Sequence, residues 1–270
     1  MFNQQPADIK FCILASGSTG NMTYVETKKS KLLIDCGFSG KTAERLLSQI
    51  NRSPAELDGI LVTHEHNDHI KGVGVLSRRY NLDVYANEGT WQAMSKKIGK
   101  IDQEHQHHFF NNRTKIFNDL DVSSFGVSHD AADPQFYTFQ KGGKRFVMLT
   151  DTGYVSDRMR GYLKNADAYL FESNHDLAML RMGSYPWHLK QRIISDKGHL
   201  SNEDGARALA EIVGDKTKHV FLGHLSQENN MKSIAYNTAE DILRRKDTGV
   251  NDQFQLHDTD PDQPSQFISL

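Results

Sequence analysis

The sequence is poor in cysteine, has no long apolar run and carries almost no net charge. Its two cysteines, Cys12 and Cys36, are too few for a disulfide framework and are expected to be reduced, half-buried thiols in a cytoplasmic protein. Its apolar runs fall far short of the roughly 18 residues that a membrane-spanning helix needs. Residues 1–8 lack the basic start and the apolar stretch of a secretory signal. These absences argue against a disulfide-stabilised exported protein and against a membrane protein.

The charge balance limits how this chain can meet a partner. Its 32 Lys and Arg residues against 34 Asp and Glu residues give a net charge of −2, which provides no overall attraction to a polyanion. A nucleic acid would therefore have to meet a local basic patch. The composition, with 37% hydrophobic and 24% charged residues, is that of an ordinary soluble globular protein.

Apolar periodicity and turn residues predict strands and helices in alternation. Strands are expected at residues 9–15, 22–26, 31–35, 57–63, 83–86, 114–117, 120–127, 135–140, 145–150, 168–171, 219–222 and 253–257. Helices are expected at residues 41–50, 72–80, 90–98, 156–163, 186–194, 201–213 and 231–246. This order indicates an α/β (α+β) fold in which two mixed β-sheets pack together with helices outside.

No linker or repeat divides the chain, so residues 1–270 are predicted to form a single domain. Residues 258–270 begin with an acidic, Pro-containing stretch and are predicted to form a loose tail. His105, His107 and His108 lie in a polar, Gln-rich stretch without metal-ligand spacing, and we expect an exposed loop there.

One segment concentrates metal-ligating side chains: His64-Glu65-His66-Asn67-Asp68-His69. It directly follows a predicted strand, so a chain that turns there can aim several of its side chains at two neighbouring points. Imidazole nitrogens suit Zn, Fe or Mn, and a carboxylate adds a hard, charged ligand. Three His and one Asp at this spacing are improbable by chance, which favours a metal site over a His-rich surface loop.

Further ligands are expected because one segment cannot surround two ions. His129, Asp151 and His224 each follow a predicted strand. Each alone would be read as an ordinary polar residue. Since strand ends that carry His or Asp converge at one edge of a sheet, the three together indicate the rest of a metal site.

The order of these residues resembles that of the metallo-β-lactamase superfamily of hydrolases, and the resemblance implies an αββα sandwich. It implies one divalent metal ion on His64, His66 and His129, a second ion on Asp68, His69 and His224, and Asp151 as the bridge between them. Asp35 resembles the carboxylate that fixes the motif loop from behind the ligands. The ions would be Mn or Zn, with Fe as a further option.

The superfamily cleaves several bond types, so the fold alone does not identify the substrate. Asp68 and Asp151 supply two carboxylates to a ligand set without cysteine, which suits a two-metal phosphodiesterase. Glu172, His175 and His199 resemble the Glu and His residues with which superfamily nucleases handle the leaving group. We expect Glu172 to keep the His199 imidazolium ready to donate a proton, and His175 to lie near the scissile phosphate.

Residues 181–192 join the Glu172 and His199 segments and mix cations with aromatic rings. Such a mixture can bind phosphates and stack bases, although a solvated amphipathic helix is an equal alternative. The residues expected to contact a substrate here and elsewhere are Ser18, Asn21, Arg181, Tyr185, Lys190, Arg192 and Ser201.

From about residue 9 to residue 257 the chain resembles the bacterial YycJ/WalJ group of exonucleases. The resemblance implies a 5′-to-3′ exonuclease that acts on double-stranded DNA with a divalent metal such as Mn. Two alternatives stay open: a small-molecule (cyclic) phosphodiesterase with the same metal site, and a metal-holding regulatory or partner-binding protein with little catalysis.

Overall fold

The computed structural model describes residues 9–270, which fall into two compact units. Of these residues, unit 1 comprises 9–126, 131–144 and 260–270, and unit 2 comprises 127–130 and 145–259. The strands belong to two seven-stranded sheets. Within residues 9–270 there is no helix with the length and apolarity required to cross a membrane.

Unit 1 contains one complete mixed sheet. Its strands are β1 (Lys10–Ala15), β2 (Met22–Glu26), β3 (Lys31–Ile34), β4 (Gly59–Leu61), β5 (Val84–Ala86), β6 (Gln106–His108) and β14 (Ile268–Ser269), in the order β14-β1-β2-β3-β4-β5-β6. The helices of this unit are α1 (Gly40–Gln49), α2 (Asn67–Ile70), α3 (Val73–Tyr80) and α4 (Glu88–Ile98). Two 3₁₀ turns, Pro54–Glu56 and Gln103–His105, complete the connections.

A second layer of unit 1 faces this sheet. It consists of the antiparallel strands β7 (Thr114–Phe117), β8 (Leu120–Gly126) and β9 (Gln135–Lys141), which belong to the second sheet. The Tyr137 hydroxyl group on β9 donates to the Val62 carbonyl oxygen at 2.7 Å, and the rings of Tyr85 and Phe117 meet edge to face. Buried aromatic rings between two sheets therefore form part of the core.

The prediction of a loose tail at 258–270 is wrong. β14 pairs antiparallel with β1, and the Leu270 amide group donates to the Ile9 carbonyl oxygen. Phe267 packs edge-on against Tyr24 and lies under the Arg52 guanidinium group. The tail is ordered because it covers an otherwise unpaired edge of the sheet.

The expected loop at His105, His107 and His108 is wrong, although His108 is exposed as expected. Residues 106–108 form β6, and the ring of His107 stacks on Tyr85 with 4.7 Å between the ring centroids. The Asp83 carboxylate contacts both His105 and His107. These histidines therefore complete a sheet edge.

Unit 2 is built on parallel strands. The strands β10 (Lys144–Leu149), β11 (Ala168–Glu172), β12 (His219–Gly223) and β13 (Gln255–Asp258) pair in that order. Its helices are α5 (Asp157–Leu163), α6 (Leu177–Met182), α7 (Trp187–Ile194), α8 (Asn202–Ile212) and α9 (Lys232–Arg245). The strands β10, β11 and β12 are buried along most of their length, as expected for parallel strands covered on both faces. Their carboxyl ends carry the candidate site residues of this unit.

Candidate metal centre

In unit 1 the motif residues turn sharply after β4. His66 precedes α2, and Asp68 and His69 lie within this single-turn helix. The ring of His64 lies 4.1 Å from that of His69 and 4.6 Å from that of His66, measured between centroids. Four predicted ligands are thus brought together by six consecutive residues.

Asp35 fixes this turn from below. Its carboxylate accepts hydrogen bonds from the Thr63 amide group at 2.8 Å and the Thr63 hydroxyl group at 2.7 Å. A third contact joins Asp35 Oδ2 to His69 Nδ1 at 2.7 Å. Because a carboxylate only accepts, Nδ1 carries the ring proton, and Nε2 keeps the lone pair that a metal ion requires. Asp35 therefore joins the end of β4 to His69, and its predicted role behind bound metal ligands stays a prediction.

Close backbone packing holds the other end of the turn. The Asn21 amide group donates to the Asp68 carbonyl oxygen at 2.8 Å, and a Cβ atom on Gly37 would lie 1.8 Å from that same oxygen. The Asn21 side chain lies 3.1 Å from His69 Nε2 and 3.4 Å from Asp68 Oδ2. Asn21, which we had assigned to substrate, thus supports two predicted ligands.

In unit 2 three predicted ligands come from three separate strand ends. Asp151 follows β10 and His224 follows β12, with His224 Nε2 3.2 Å from Asp151 Oδ1. His129 Nε2 lies 3.9 Å from the same oxygen, while its Nδ1 contacts the Gly198 carbonyl oxygen at 3.1 Å. His129 and His224 therefore both present Nε2 towards Asp151. His224 Nδ1 lies 3.3 Å from Glu172 Oε1 and 3.2 Å from the Asn174 amide nitrogen.

In unit 2 the Glu172 carboxylate contacts two histidines and two backbone amide groups. Its Oε2 accepts from the backbone amides of Thr152 at 3.0 Å and Leu200 at 3.2 Å. Its Oε1 lies 2.8 Å from His199 Nδ1 and 3.3 Å from His224 Nδ1. One buried carboxylate thus fixes the turn after Asp151, the predicted proton donor and a predicted metal ligand.

The environment of Glu172 keeps it ionised. Burial raises the pKa of this carboxyl group, but the charge and hydrogen bond of His199 and the hydrogen bond of His224 outweigh burial and bring the pKa to about 2. The partner His199 has a side chain that is 20% exposed. A group in this position can exchange a proton with a bound molecule while its other ring nitrogen stays on the carboxylate.

His175 does not fit the expected position near the scissile phosphate. The residue is 1% exposed, its Nδ1 faces the Asn174 amide oxygen, and burial lowers its pKa to about 4. A buried neutral ring cannot present a positive charge to a phosphate. We therefore omit His175 from the groups that contact substrate.

Three of the site residues have unusual backbone conformations. Asp35, Asp151 and His224 have φ angles of 58°, 50° and 57°, in the left-handed region that few residues other than glycine adopt. Asp35 and His224 directly follow β3 and β12, and Asp151 lies two residues after the end of β10. Such conformations cost on the order of 1 kcal/mol each and collect at functional sites, so the turns that aim these side chains are maintained by the surrounding hydrogen bonds.

A buried amide network that the sequence reading missed supports the same half. The Asn230 side chain donates to the carbonyl oxygens of Ser173 and Asn174 and to Asn202 Oδ1. The Asn202 amide group in turn donates to the His175 carbonyl oxygen at 2.9 Å. No local pattern marks these residues, because each is recognisable only by partners that lie far away in the sequence.

Two residues assigned to substrate serve the fold instead. Lys190 is buried, and its ammonium group donates to the carbonyl oxygens of Arg181 and Gly183 at 2.8 and 2.6 Å. Ser201 is 1% exposed, and its hydroxyl group caps α8 by accepting from the Asp204 amide group. Neither group is available to a substrate, so both assignments are corrected.

The remaining predicted contacts stay accessible. Ser18 lies exposed in the turn after β1, Arg181 is exposed at the end of α6, and Tyr185 is half-buried in the next turn. Arg192 is exposed but forms an ion pair with Asp130, the neighbour of His129. Its charge is therefore already partly compensated.

The side chains gathered in each unit fit a divalent cation. Each unit offers imidazole nitrogens together with a carboxylate and no sulfur, which suits Zn, Mn or Fe. In unit 2 alone, Asp151, Glu172, His199 and His224 offer four donor atoms that lie within 4.8 Å of one another. The hydrogen bonds of Glu172 to the Nδ1 atoms of both histidines indicate that it orients these rings.

Comparison with known proteins agrees with this chemistry. Residues 30–224 match the family described as the beta-lactamase superfamily domain. The exodeoxyribonuclease WalJ of Streptococcus pneumoniae serotype 2 (strain D39) is 59% identical over 255 residues, which cover 94% of this chain and 95% of that protein. The exodeoxyribonuclease YycJ of Bacillus anthracis is 54% identical over 259 residues, covering 96% and 98%.

A solved structure shows the same fold. The metallo-β-lactamase fold protein YhfI from Bacillus subtilis has a TM-score of 0.72 at 15% identity, covering 97% of this chain and 100% of that one. The predicted fold of two mixed sheets flanked by helices is therefore confirmed. The chain belongs to the beta-lactamase superfamily, within the group that contains the exodeoxyribonucleases WalJ and YycJ.

Proposed function

We propose that this chain is a metal-dependent phosphodiesterase that acts on nucleic acid, specifically a 5′-to-3′ exonuclease of double-stranded DNA. One observation carries the proposal: a partly exposed His199 is held at 2.8 Å by the buried Glu172 carboxylate, next to Asp151. In this arrangement His199 can donate a proton beside Asp151, a carboxylate of the kind that binds metal ions. The relatives named exodeoxyribonucleases, similar along nearly their whole length, support DNA as the substrate.

The proposed ligand set is the one that the family pattern implies. His64, His66 and His129 would hold one ion, Asp68, His69 and His224 a second, with Asp151 shared. When bound, two such ions activate the attacking water and offset charge on the phosphate oxygens. Mn and Zn are the proposed metals. The buried, free thiols of Cys12 and Cys36 are compatible with the predicted cytoplasmic location.

The protein's own groups would position the substrate and move the proton. His199 donates a proton to the departing sugar oxygen, so that an alcohol leaves in place of an alkoxide. Glu172 stabilises the imidazolium form of His199 before the transfer. Arg181, Tyr185 and Ser18 are exposed or half-buried and remain the proposed contacts to DNA, with Arg192 available once it leaves Asp130.

The test uses purified full-length protein, stripped of metal and reloaded with Mn or Zn. Duplex DNA labelled at the 5′ end is digested beside the same duplex labelled at the 3′ end. We expect immediate release of labelled mononucleotide from the 5′ label and a ladder of shortening fragments from the 3′ label. The variant His199→Ala should slow both reactions by about 10²-fold or more, while it keeps its metal content.

The opposite labelling pattern would refute the proposed polarity. Digestion of bis-p-nitrophenyl phosphate with no cleavage of DNA would refute the nuclease assignment and favour the small-molecule phosphodiesterase. Metal binding without turnover of either substrate would favour the regulatory alternative. Metal content measured by mass spectrometry on each sample separates a lost metal from a lost activity.

A further inference from the structure

Tyr154 is an exposed aromatic residue three positions after Asp151. Its exposed fraction is 46%, although it directly follows a turn that is almost fully buried. Within residues 9–270 its hydroxyl group has no hydrogen-bond partner, and no aromatic ring stacks on its own ring. A large, exposed aromatic side chain thus follows the proposed metal ligand by three residues.

The backbone beneath Tyr154 is fixed from several sides. The Gly153 amide group donates to the Ser128 carbonyl oxygen at 2.9 Å, and the Thr152 hydroxyl group donates to the Tyr154 carbonyl oxygen at 2.9 Å. A Cβ atom on Gly153 would lie 2.2 Å from the carbonyl carbon of Asp196, so only glycine fits there. The ring is therefore carried on a rigid turn joined to the segments that bear His129 and His199.

Lys197 adds an exposed positive charge on the segment whose backbone packs against Gly153. It follows Asp196, whose backbone touches Gly153, and it is exposed. Among the described residues, 9–270, its ammonium group forms no ion pair. Residues 177–200 contain four cations, Arg181, Lys190, Arg192 and Lys197, and one acid, Asp196. Lys190 is buried and Arg192 is paired with Asp130, which leaves Arg181 and Lys197 as the exposed cations of the segment. The segment is therefore locally attractive to a polyanion.

We propose that Tyr154 stacks on the nucleobase of the nucleotide being removed while Lys197 binds the adjoining phosphate. This assignment rests on the proposed function. Because the ring lies in the same turn as Asp151, a base resting on it places its own phosphate near the proposed metal ligands. Stacking accepts every base, since each has an aromatic face, so the contact would position DNA without sequence preference.

The experiment pairs protein variants with substrate variants. Tyr154→Ala and Tyr154→Phe are compared with the unaltered protein on two duplexes, one intact and one with an abasic residue at the 5′-terminal position. We expect Tyr154→Ala to raise KM about tenfold on the intact duplex, equivalent to about 1.4 kcal/mol, and to change KM by less than about twofold on the abasic duplex. Tyr154→Phe keeps the ring and should resemble the unaltered protein.

Tyr162 provides a matched control. It is a tyrosine of similar exposure, 41%, on α5, and Tyr162→Ala should leave KM unchanged on both duplexes. Lys197→Ala should weaken binding to both duplexes. It should also reduce the magnitude of the slope of log affinity against log salt concentration by about 1, the change expected when one phosphate contact is lost. Tyr154→Leu serves as a second variant if the alanine protein does not fold, because it keeps the bulk and removes the aromatic face.

The outcomes separate the alternatives. An equal rise of KM on intact and abasic duplexes would show that Tyr154 acts on the fold, and an unchanged KM would show that no base rests on it. Either result overturns the stacking assignment while the unaltered protein still digests DNA. If the unaltered, metal-loaded protein digests no DNA, the proposed function fails together with this inference.

Discussion

The two units supply candidate metal ligands in different ways. In unit 1 four ligands lie within six consecutive residues, His64 to His69, and the turn that presents them is fixed by Asp35. In unit 2 the ligands His129, Asp151 and His224 come from three distant parts of the chain. The ligands of unit 1 can be predicted from their spacing in the sequence alone. Those of unit 2 come together only because the sheet brings distant strand ends to one edge.

The two halves nevertheless use the same device. Each has one buried carboxylate that accepts backbone amide protons and also holds the Nδ1 side of a predicted ligand: Asp35 for His69 and Glu172 for His224. A fixed Nδ1 proton leaves Nε2 as the donor atom for a metal ion. Glu172 also contacts His199. A substitution of Glu172 should therefore disturb more site residues than a substitution of Asp35.

The largest expected effect comes from Asp151. Asp151→Ala should reduce turnover of DNA by more than about 10³-fold, because a shared carboxylate serves both proposed ions. Metal content measured by mass spectrometry should fall for both ions, whereas His66→Ala in the local half should lower the occupancy of one. An Asp151→Ala protein with full activity would end the proposed ligand scheme.

Substitutions of the two buried carboxylates, Glu172 and Asp35, should affect different quantities, kcat for Glu172 and metal affinity for Asp35. Glu172→Gln should lower kcat by about 10²-fold even at saturating Mn, because an amide cannot stabilise the His199 imidazolium as a carboxylate does. Asp35→Asn should weaken metal affinity by about 10- to 100-fold and regain most of its kcat when metal is in excess. Titrations of activity against Mn for both proteins measure this. Identical titration curves for the two variants would contradict the different roles assigned to Glu172 and Asp35.

The smallest effect concerns the C-terminal edge of unit 1. Phe267→Ala should lower the free energy of unfolding by about 2 kcal/mol, since the ring contacts Tyr24 and Arg52. Urea denaturation measures the change, with Phe110→Ala as the control because Phe110 is 55% exposed and should change stability by less than about 0.5 kcal/mol. Equal effects of the two substitutions would contradict an ordered tail. Neither should alter metal content.

Most of the fold could be predicted from local patterns. The strands of 114–141 and the helices α5 and α9 lie within a few residues of their predicted bounds, because their apolar periodicity matches the face that they bury. The edge strands β6 and β14 were missed. Both are short, with two and three residues, and what makes them strands is the neighbouring strand that pairs with them, which no local pattern reveals.

The candidate site divides in the same way. The spacing of His64, His66, Asp68 and His69 predicts a turn that could hold a metal ion, since all of its donors are neighbours along the chain. Lys190 and Ser201 were assigned to substrate because charge and polarity are visible in a sequence, whereas their burial and their backbone partners are not.

The sequence by itself determined the types and order of the candidate metal-ligating side chains and the alternation of strands and helices, because residue type and periodicity are local properties. The tertiary structure alone decided that Glu172 fixes two histidines and two backbone amides at once, and that Asp35, Asp151 and His224 take up left-handed conformations. These features arise from contacts between residues tens of positions apart, and only packing brings such residues together.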